Sequence, residues 1–335
     1  LPSDMESFWP SESNKVQLQS FTKDHTAENI LQEKDVTVSG IITDSDIYPT
    51  EHFSAGRRTS TEIDYLKAPI EEADDRIIRH AFYEVQQGSK RILVVSNDAD
   101  TIARLLYFMK KYKERGLTHI WVMYGTGDKK RYEPLHTIYH RLSIRLSRVV
   151  VKAHILTGDD GLSKIGTKLA ALCHDPVKYL SSFGESEEIC DADLWLVEEY
   201  LAKVWDGANS SNVFRTFSQL RLHEYTSPKN AKPLDQLAPT SSSISGHIIR
   251  AHAAIRDVVT LLDDDYQRSD PLKNKWIRES GVLIPDMCLN PLPEKKLVTC
   301  KCQGKCTSKK CKCHEATEIC TAFCHGKKSV CVNRF

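Results

Sequence analysis

No stretch of this 335-residue chain approaches the roughly 18 consecutive apolar residues that a membrane-spanning helix requires. Its first residues also lack the basic-then-apolar order of a secretory leader, so a soluble protein with no membrane partner is expected. The opening at Leu1 adds the expectation that a segment lies upstream. No internal period repeats, which excludes a solenoid. Serine and cysteine nucleophile motifs are absent, which argues against covalent hydrolases. His136 and His140 stand one helical turn apart with no glutamate between them, so they read as packing or solvent-facing residues rather than metal ligands. A charge excess is missing too, the formal net charge being +1. That near-balance conceals a division: residues 294–335 carry ten Lys or Arg against three Glu, leaving about −6 for everything before them.

The 11 cysteines share this asymmetry, eight of them falling between Cys300 and Cys331 while Cys173, Cys190 and Cys288 stand apart. A disulfide framework belongs to short secreted chains with a leader, so metal is the better account, and with it a reducing intracellular compartment. Written out, the run is Cys300-x-Cys302-x3-Cys306-x4-Cys311-x-Cys313-x6-Cys320-x3-Cys324-x6-Cys331. Thiols crowded into a Lys-rich, apolar-poor segment cannot build a core. Zinc thiolates supply the missing folding energy, roughly 10–16 kcal/mol for a structural ion at neutral pH. Lys301, Lys305, Lys309, Lys310 and Lys312 favour the ionised sulfurs and leave a positive surface. Cys-x-Cys pairs with short spacers suit a cluster in which some sulfurs bridge two ions.

This segment resembles the tesmin-type CXC domain of chromatin-associated proteins. The resemblance implies a cluster of nine cysteines on three zinc ions, with nearby basic residues contacting DNA. One position departs from the pattern: the cysteine expected two residues after Cys324 is Gly326. Either His325 serves as a nitrogen ligand or the cluster is one bond short. A staple that merely closes the C-terminus is the alternative.

Upstream, the hydrophobic pattern points to α/β architecture. Residues 1–67 are mixed, with a helix expected over Lys15 to Phe21 and a strand over Val36 to Ile42. After Pro69, acids at Glu71, Glu72, Asp74 and Asp75 open a helix whose apolar face is Ile77, Ile78, Ala81, Phe82 and Val85. Arg91 to Ser96 and His119 to Tyr124 read as buried strands flanking a helix from Ala99 to Arg115, an alternation that argues for a parallel sheet. Helical periodicity recurs over Leu135 to Ser147, Glu187 to Trp205, Val213 to Leu222 and His247 to Leu262. Pro271, Pro285, Pro291 and Pro293 mark a mostly irregular connector, and Trp121, Trp195 and Trp205 are expected in the core. The expected divisions are an N-terminal segment 1–67, a sheet-bearing domain 68–240, a helix and connector 241–293 and the cysteine module 294–335.

Carboxylates recur at the ends of these elements: Glu72 and Asp74 in a first helical turn, Asp98 and Asp100 after a strand, Asp159 and Asp160 after His154-Ile-Leu156. Each pair alone reads as capping or turn chemistry. Gathered in one crevice, two carboxylates about 4 Å apart repel by roughly 4 kcal/mol at an effective dielectric of 20, so such a set calls for magnesium or manganese.

The strings EEADDRIIRHA, VVSNDADTIARLL and HILTGDDGLSKIGTKLAAL, in that order, are similar to the flap-endonuclease branch of PIN-like nucleases, especially to forms carried with a CXC tail in transposon-derived animal proteins. The resemblance spans about Ala68 to Leu172, and more loosely the whole chain. It implies a PIN-like parallel sheet flanked by helices, followed by a helical extension and the zinc module. It also implies two ions held by Glu72, Asp74, Asp98, Asp100 and Asp160 that activate water against a phosphodiester. Gly161, Lys164, Gly166 and Lys168 correspond to the family's helix-two-turn-helix contact with DNA phosphate, and Lys305, Lys309 and Lys310 add contacts from the tail. The family's first strand carries a further metal-binding aspartate, and no equivalent precedes Ala68, the residues around Asp44 and Asp46 being unlike it. The expectation is a nuclear, metal-dependent, structure-specific nuclease-like protein that binds branched or single-stranded DNA. The alternative is a non-catalytic DNA- or chromatin-binding protein acting through its zinc module.

Overall fold

The computed structural model describes residues 11–29, 35–39, 50–53, 60–70, 72–159, 161–226, 232, 236–286, 298–320, 324 and 331–333. It is mixed α/β, largely helical, with small sheets and a separate cysteine cluster at the C-terminal end. Among the described residues no helix is long and apolar enough to cross a membrane.

A helix α1 (Glu12–Asn29) precedes a small antiparallel sheet of β1 (Val36–Val38), β2 (Glu51–Phe53) and β3 (Ser60–Glu62). The strand expected through Ile42 is described only to Val38, and its remainder past Ser39, with Asp44 and Asp46, lies outside the described residues. Helix α2 (Ala73–Gln86) buries Ile78, Ala81, Phe82 and Val85, the apolar face read from spacing. Its Arg79 anchors distant backbone, donating to the carbonyls of Tyr65 at 2.7 Å and Leu261 at 2.6 Å.

Next come β4 (Arg91–Val95), α3 (Ala99–Glu114), β5 (His119–Tyr124) and β6 (Arg131–Pro134), with the two helices α4 (Leu135–Arg141) and α5 (Ile144–Leu156) behind them. Strands β4 and β5 pair in parallel, Arg91 opposite His119. The expected parallel sheet stops at this pair, because β6 runs antiparallel to β5. The six-residue link before β6 is far too short for a parallel crossover. It turns back through Gly125 (φ +84°), where a Cβ would stand 2.5 Å from the Lys129 carbonyl oxygen. The single helix expected over Leu135 to Ser147 is also two helices. Ser143 ends the first by capping the second, accepting from the Leu146 amide at 3.0 Å.

Helices α6 (Lys168–Cys173), α7 (Pro176–Leu180), α8 (Asp191–Asp206), α9 (Phe217–Thr226) and α10 (Ser241–Val259) complete the helical part. Ile244, Ile248, Ala251, Ile255 and Val258 of α10 belong to the same buried cluster as Ile78, Phe108 and Val122. Of the three tryptophans expected inside, Trp121 and Trp205 are half-buried, but Trp195 is 69% exposed, since α8 turns that side chain away from the core. The connector expected to be irregular holds a hairpin, β7 (Trp276–Glu279) with β8 (Val282–Pro285). Ser280 and Gly281 turn it with φ of 50° and 85°, the left-handed pair that two-residue hairpin loops require. The cysteine segment carries one short helix, α11 (Lys312–Glu315).

Candidate functional site

The cysteine segment is organised around sulfur. Cys300, Cys306, Cys311, Cys313, Cys320 and Cys324 are buried, and with half-buried Cys302 and Cys331 they form a cluster of their own. Three overlapping groups bring their sulfurs within 4.8 Å of one another: Cys300, Cys302, Cys306 and Cys311; Cys300, Cys311, Cys313 and Cys320; and Cys306, Cys320 and Cys331. Cys300, Cys306, Cys311 and Cys320 each belong to two groups, the arrangement of thiolates that bridge ions. Sulfurs stand 3.8 Å apart between Cys300 and Cys320 and 3.7 Å between Cys311 and Cys320. Tetrahedral zinc with bonds near 2.3 Å places its sulfurs about 3.8 Å apart, whereas a disulfide would need about 2.05 Å. Cys324 joins through Cys313, at 3.5 Å. His325 lies outside the described residues.

Protons and a cation compete for this cluster. Burial pushes the thiols of Cys300, Cys302, Cys306, Cys313 and Cys320 up, so without an ion they hold their protons. Cys311 is the exception: the backbone N–H of His314, in the first turn of α11, brings its thiol down to about 6. A metal ion must displace the other protons, which ties occupancy to pH. Outside this shell Lys301, Lys305, Lys309, Lys310 and Lys312 are all exposed.

The second site is acidic. Glu72 at the start of α2, Asp74 and Asp75 in its first turn, Asp100 in the first turn of α3, and Asp159 after α5 line one cavity of about 410 Å³. Asp98, Asp100 and Asp159 line its neighbour together with His154, Lys164 and Lys168. Residues separated by up to 87 positions thus meet between α2, α3 and the loop that leaves α5. That loop follows a helix, because His154-Ile-Leu156 is the last turn of α5. Asp160, one residue beyond Asp159, lies outside the described residues.

The partners of these carboxylates come from elements that the sequence pattern did not connect. Asp75 takes a hydrogen bond from Arg104 Nε at 2.7 Å, and Arg104 Nη1 stands 3.3 Å from an Asp100 oxygen. The other Asp100 oxygen binds the His154 ring, and Asp74 accepts from the Thr101 hydroxyl. Burial pushes the Asp75 carboxyl up to about 6 despite the adjacent guanidinium. The hydrogen bond from His154 holds the Asp100 carboxyl down at about 2. Burial raises Asp159 as well. Asp98 caps α3, accepting from the Asp100 amide at 2.9 Å. Arg104 follows Asp100 by one helical turn, a spacing legible in sequence. His154 lies 54 positions away, and no local signal links it to Asp100.

The turn from Thr157 to Thr167 places the residues expected to meet phosphate. The Gly161 amide donates to Asp159 Oδ1 at 3.1 Å. Gly166 (φ +63°) is needed for packing, since a Cβ there would lie 2.8 Å from Val204. Lys168 Nζ donates to the carbonyls of His154 and Gly158, closing the end of α5, while Lys164 is exposed on the rim.

The basin offers mainly carboxylate oxygens, the chemistry of a hard divalent ion, with the His154 ring beside them. Their spacing is another matter. Among the described residues only cysteines gather three or more ligand atoms closely enough to hold an ion, and one oxygen each of Asp74 and Asp75 and both oxygens of Asp100 are engaged by Thr101, Arg104 and His154. As they stand, the described carboxylates do not fit a caged magnesium or manganese ion. No family model, no curated protein and no solved structure matches this chain.

Proposed function

We propose that this chain is a DNA-binding protein, of nuclear location, in which a zinc–thiolate knot supplies affinity and a PIN-like core presents an acidic basin beside the bound strand. The observation that carries this reading is the segregation within the knot, with sulfur inside and Lys301, Lys305, Lys309, Lys310 and Lys312 outside. Five ammonium groups on so small a unit create a field that DNA phosphate relieves, with release of condensed counterions. The resemblance of the segment to tesmin-type CXC modules supports the same assignment.

A second reading, cleavage of phosphodiesters with magnesium or manganese, is favoured by the meeting of Glu72, Asp74, Asp100 and Asp159 in one cavity. Arg104 counts against it, because a fixed guanidinium already balances Asp75 and Asp100.

Affinity of the full chain for labelled DNA, measured against salt concentration, tests the first reading. Replacing Lys305, Lys309 and Lys310 by Gln should flatten the logarithmic salt slope by about 3, at roughly 0.9 per lost phosphate contact. A flat slope in the unsubstituted chain would remove the proposal. Incubation of the same samples with manganese and branched or single-stranded DNA tests the second reading. Any cleavage by the basin should vanish in Asp98→Asn/Asp160→Asn, and cleavage that survives there rules the basin out.

A further inference from the structure

The 410 Å³ cavity is only half acidic. Its other walls are built from α5, the turn after it, α10 and the hairpin. Ile155, Leu162 and Val258 give it an apolar wall, and Trp276, the first residue of β7, lines it as a half-buried indole. The Arg250 guanidinium lies over the Trp276 ring, 5.6 Å from its centroid, and is tied to the Lys275 carbonyl at 3.3 Å, so the indole is held from one side as a planar platform. The same cavity is lined by Arg104, 6% exposed, whose Nη1 is buried without a hydrogen-bond partner. Its approach to Asp100 misses hydrogen-bond geometry. Ion-paired with Asp100 at 3.3 Å but making no hydrogen bond, this buried guanidinium nitrogen can still donate to an acceptor on a ligand in the cavity.

These groups describe one ligand class. A planar ring satisfies the platform and the apolar wall, an acceptor on its edge meets Arg104 Nη1, and a neighbouring N–H donor meets the carboxylate of Asp159 in the same lining. Nucleobases carry that combination of a π-face with adjacent donors and acceptors. The size agrees, since small-molecule sites run from about 300 to 1,000 Å³. A base inside a duplex cannot enter, because its edge is paired and its faces are stacked.

We propose that this cavity binds a single unpaired nucleobase of a DNA strand, stacked on Trp276 with its edge shared between Arg104 and the acidic side chains. The proposal rests on the DNA-binding reading and adds a second contact, specific for unpaired DNA, at a place remote in sequence from the cysteine knot.

The test uses the full chain with two probes carrying 2-aminopurine, one in an unpaired tail and one inside a duplex. The tail fluorophore should be quenched on binding and the duplex fluorophore should not. Trp276→Leu should lose the quenching and about 5- to 100-fold of affinity for the tailed probe, Trp276→Phe should keep most of both, and duplex affinity should stay constant in all three proteins. That constancy also certifies folding. Unchanged quenching and affinity in Trp276→Leu, or equal quenching of the two probes by the unsubstituted chain, overturns the pocket and leaves the knot's role intact. Failure of the unsubstituted chain to bind either probe overturns the DNA-binding reading and the pocket with it.

Discussion

The cysteine knot and the acidic basin both crowd groups that repel one another when ionised, yet they solve the problem in opposite ways. In the knot, eight cysteines lie within 32 consecutive positions, and among the described residues its lysines are exposed around the sulfurs. Backbone and sequence spacing bring the ligands together, and balance of charge is left to an ion from outside. In the basin, carboxylates arrive from α2, α3 and the loop after α5, and the fold brings its own cation, Arg104, with His154 beside it. A site that carries its counter-charge is stable by itself; one that lacks it is a demand for metal.

Removal of metal gives the largest expected separation between the two. A structural zinc ion contributes roughly 10–16 kcal/mol at neutral pH, and the described residues of the knot pack cysteines, with Val298, in place of an apolar core. Chelation should unfold residues 298–333 while the helices around Ile78, Phe108 and Ile248 persist. Proteolysis and circular dichroism before and after chelation read this directly. Because most of these thiols are raised when metal-free, they must lose protons to bind, and zinc should be released progressively as pH falls. Fewer than one zinc per chain, or a protease-resistant tail after chelation, breaks the comparison.

Loss of the internal cation is the next largest effect. Arg104 and Asp75 have side chains 8% and 10% exposed, so the pair is buried. Removing one member of a buried pair costs about 3–5 kcal/mol, chiefly because the other charge is left uncompensated. Arg104→Met should therefore lower stability by about that much in urea unfolding, and Asp75→Asn in the same chain should recover most of it. The single variant should also bind manganese more tightly than the unsubstituted chain, detectable by electron paramagnetic resonance. If Arg104→Met leaves stability and manganese binding unchanged, the guanidinium is not the counter-charge, and the contrast with the knot fails.

The unequal legibility of the two sites has the same physical origin. Cysteine spacing is local information, and the three sulfur groups use the residues that the spacing singled out. Helices α2 and α3 and strands β4 and β5 were legible within a residue or two, because a single apolar face at the 3.6-residue period, or a short apolar run, suffices to place them. The antiparallel return of β6 and the β7–β8 hairpin were not. Their signals, Gly125 with Gly127 and the pair Ser280-Gly281, are turn chemistry that was overshadowed by the expected parallel sheet and by the prolines of the connector. Arg104 could have been found from its four-residue spacing to Asp100. The pairing of His154 with Asp100 could not, since it depends on how α5 packs across α3, which is tertiary information. Trp195 shows the converse: a large aromatic in an amphipathic helix reads as core, yet α8 presents it to solvent.

The smallest expected effect separates two roles at Asp98. Its side chain caps α3, accepting from the Asp100 amide, and it also faces the cavity shared with His154 and Lys164. Asp98→Ala removes cap and charge together and should cost about 1 kcal/mol, whereas Asp98→Ser keeps a capping oxygen and should change stability by only a few tenths. Thermal melts of the two variants give that difference. The decisive measurement is then manganese affinity in the serine variant, whose cap is intact. Unchanged affinity makes Asp98 a structural cap and nothing more, and aligns the basin with a fold that balances its own charges. Affinity lost without loss of stability would make Asp98 an ion ligand, and the basin would then resemble the knot in waiting for a cation from outside.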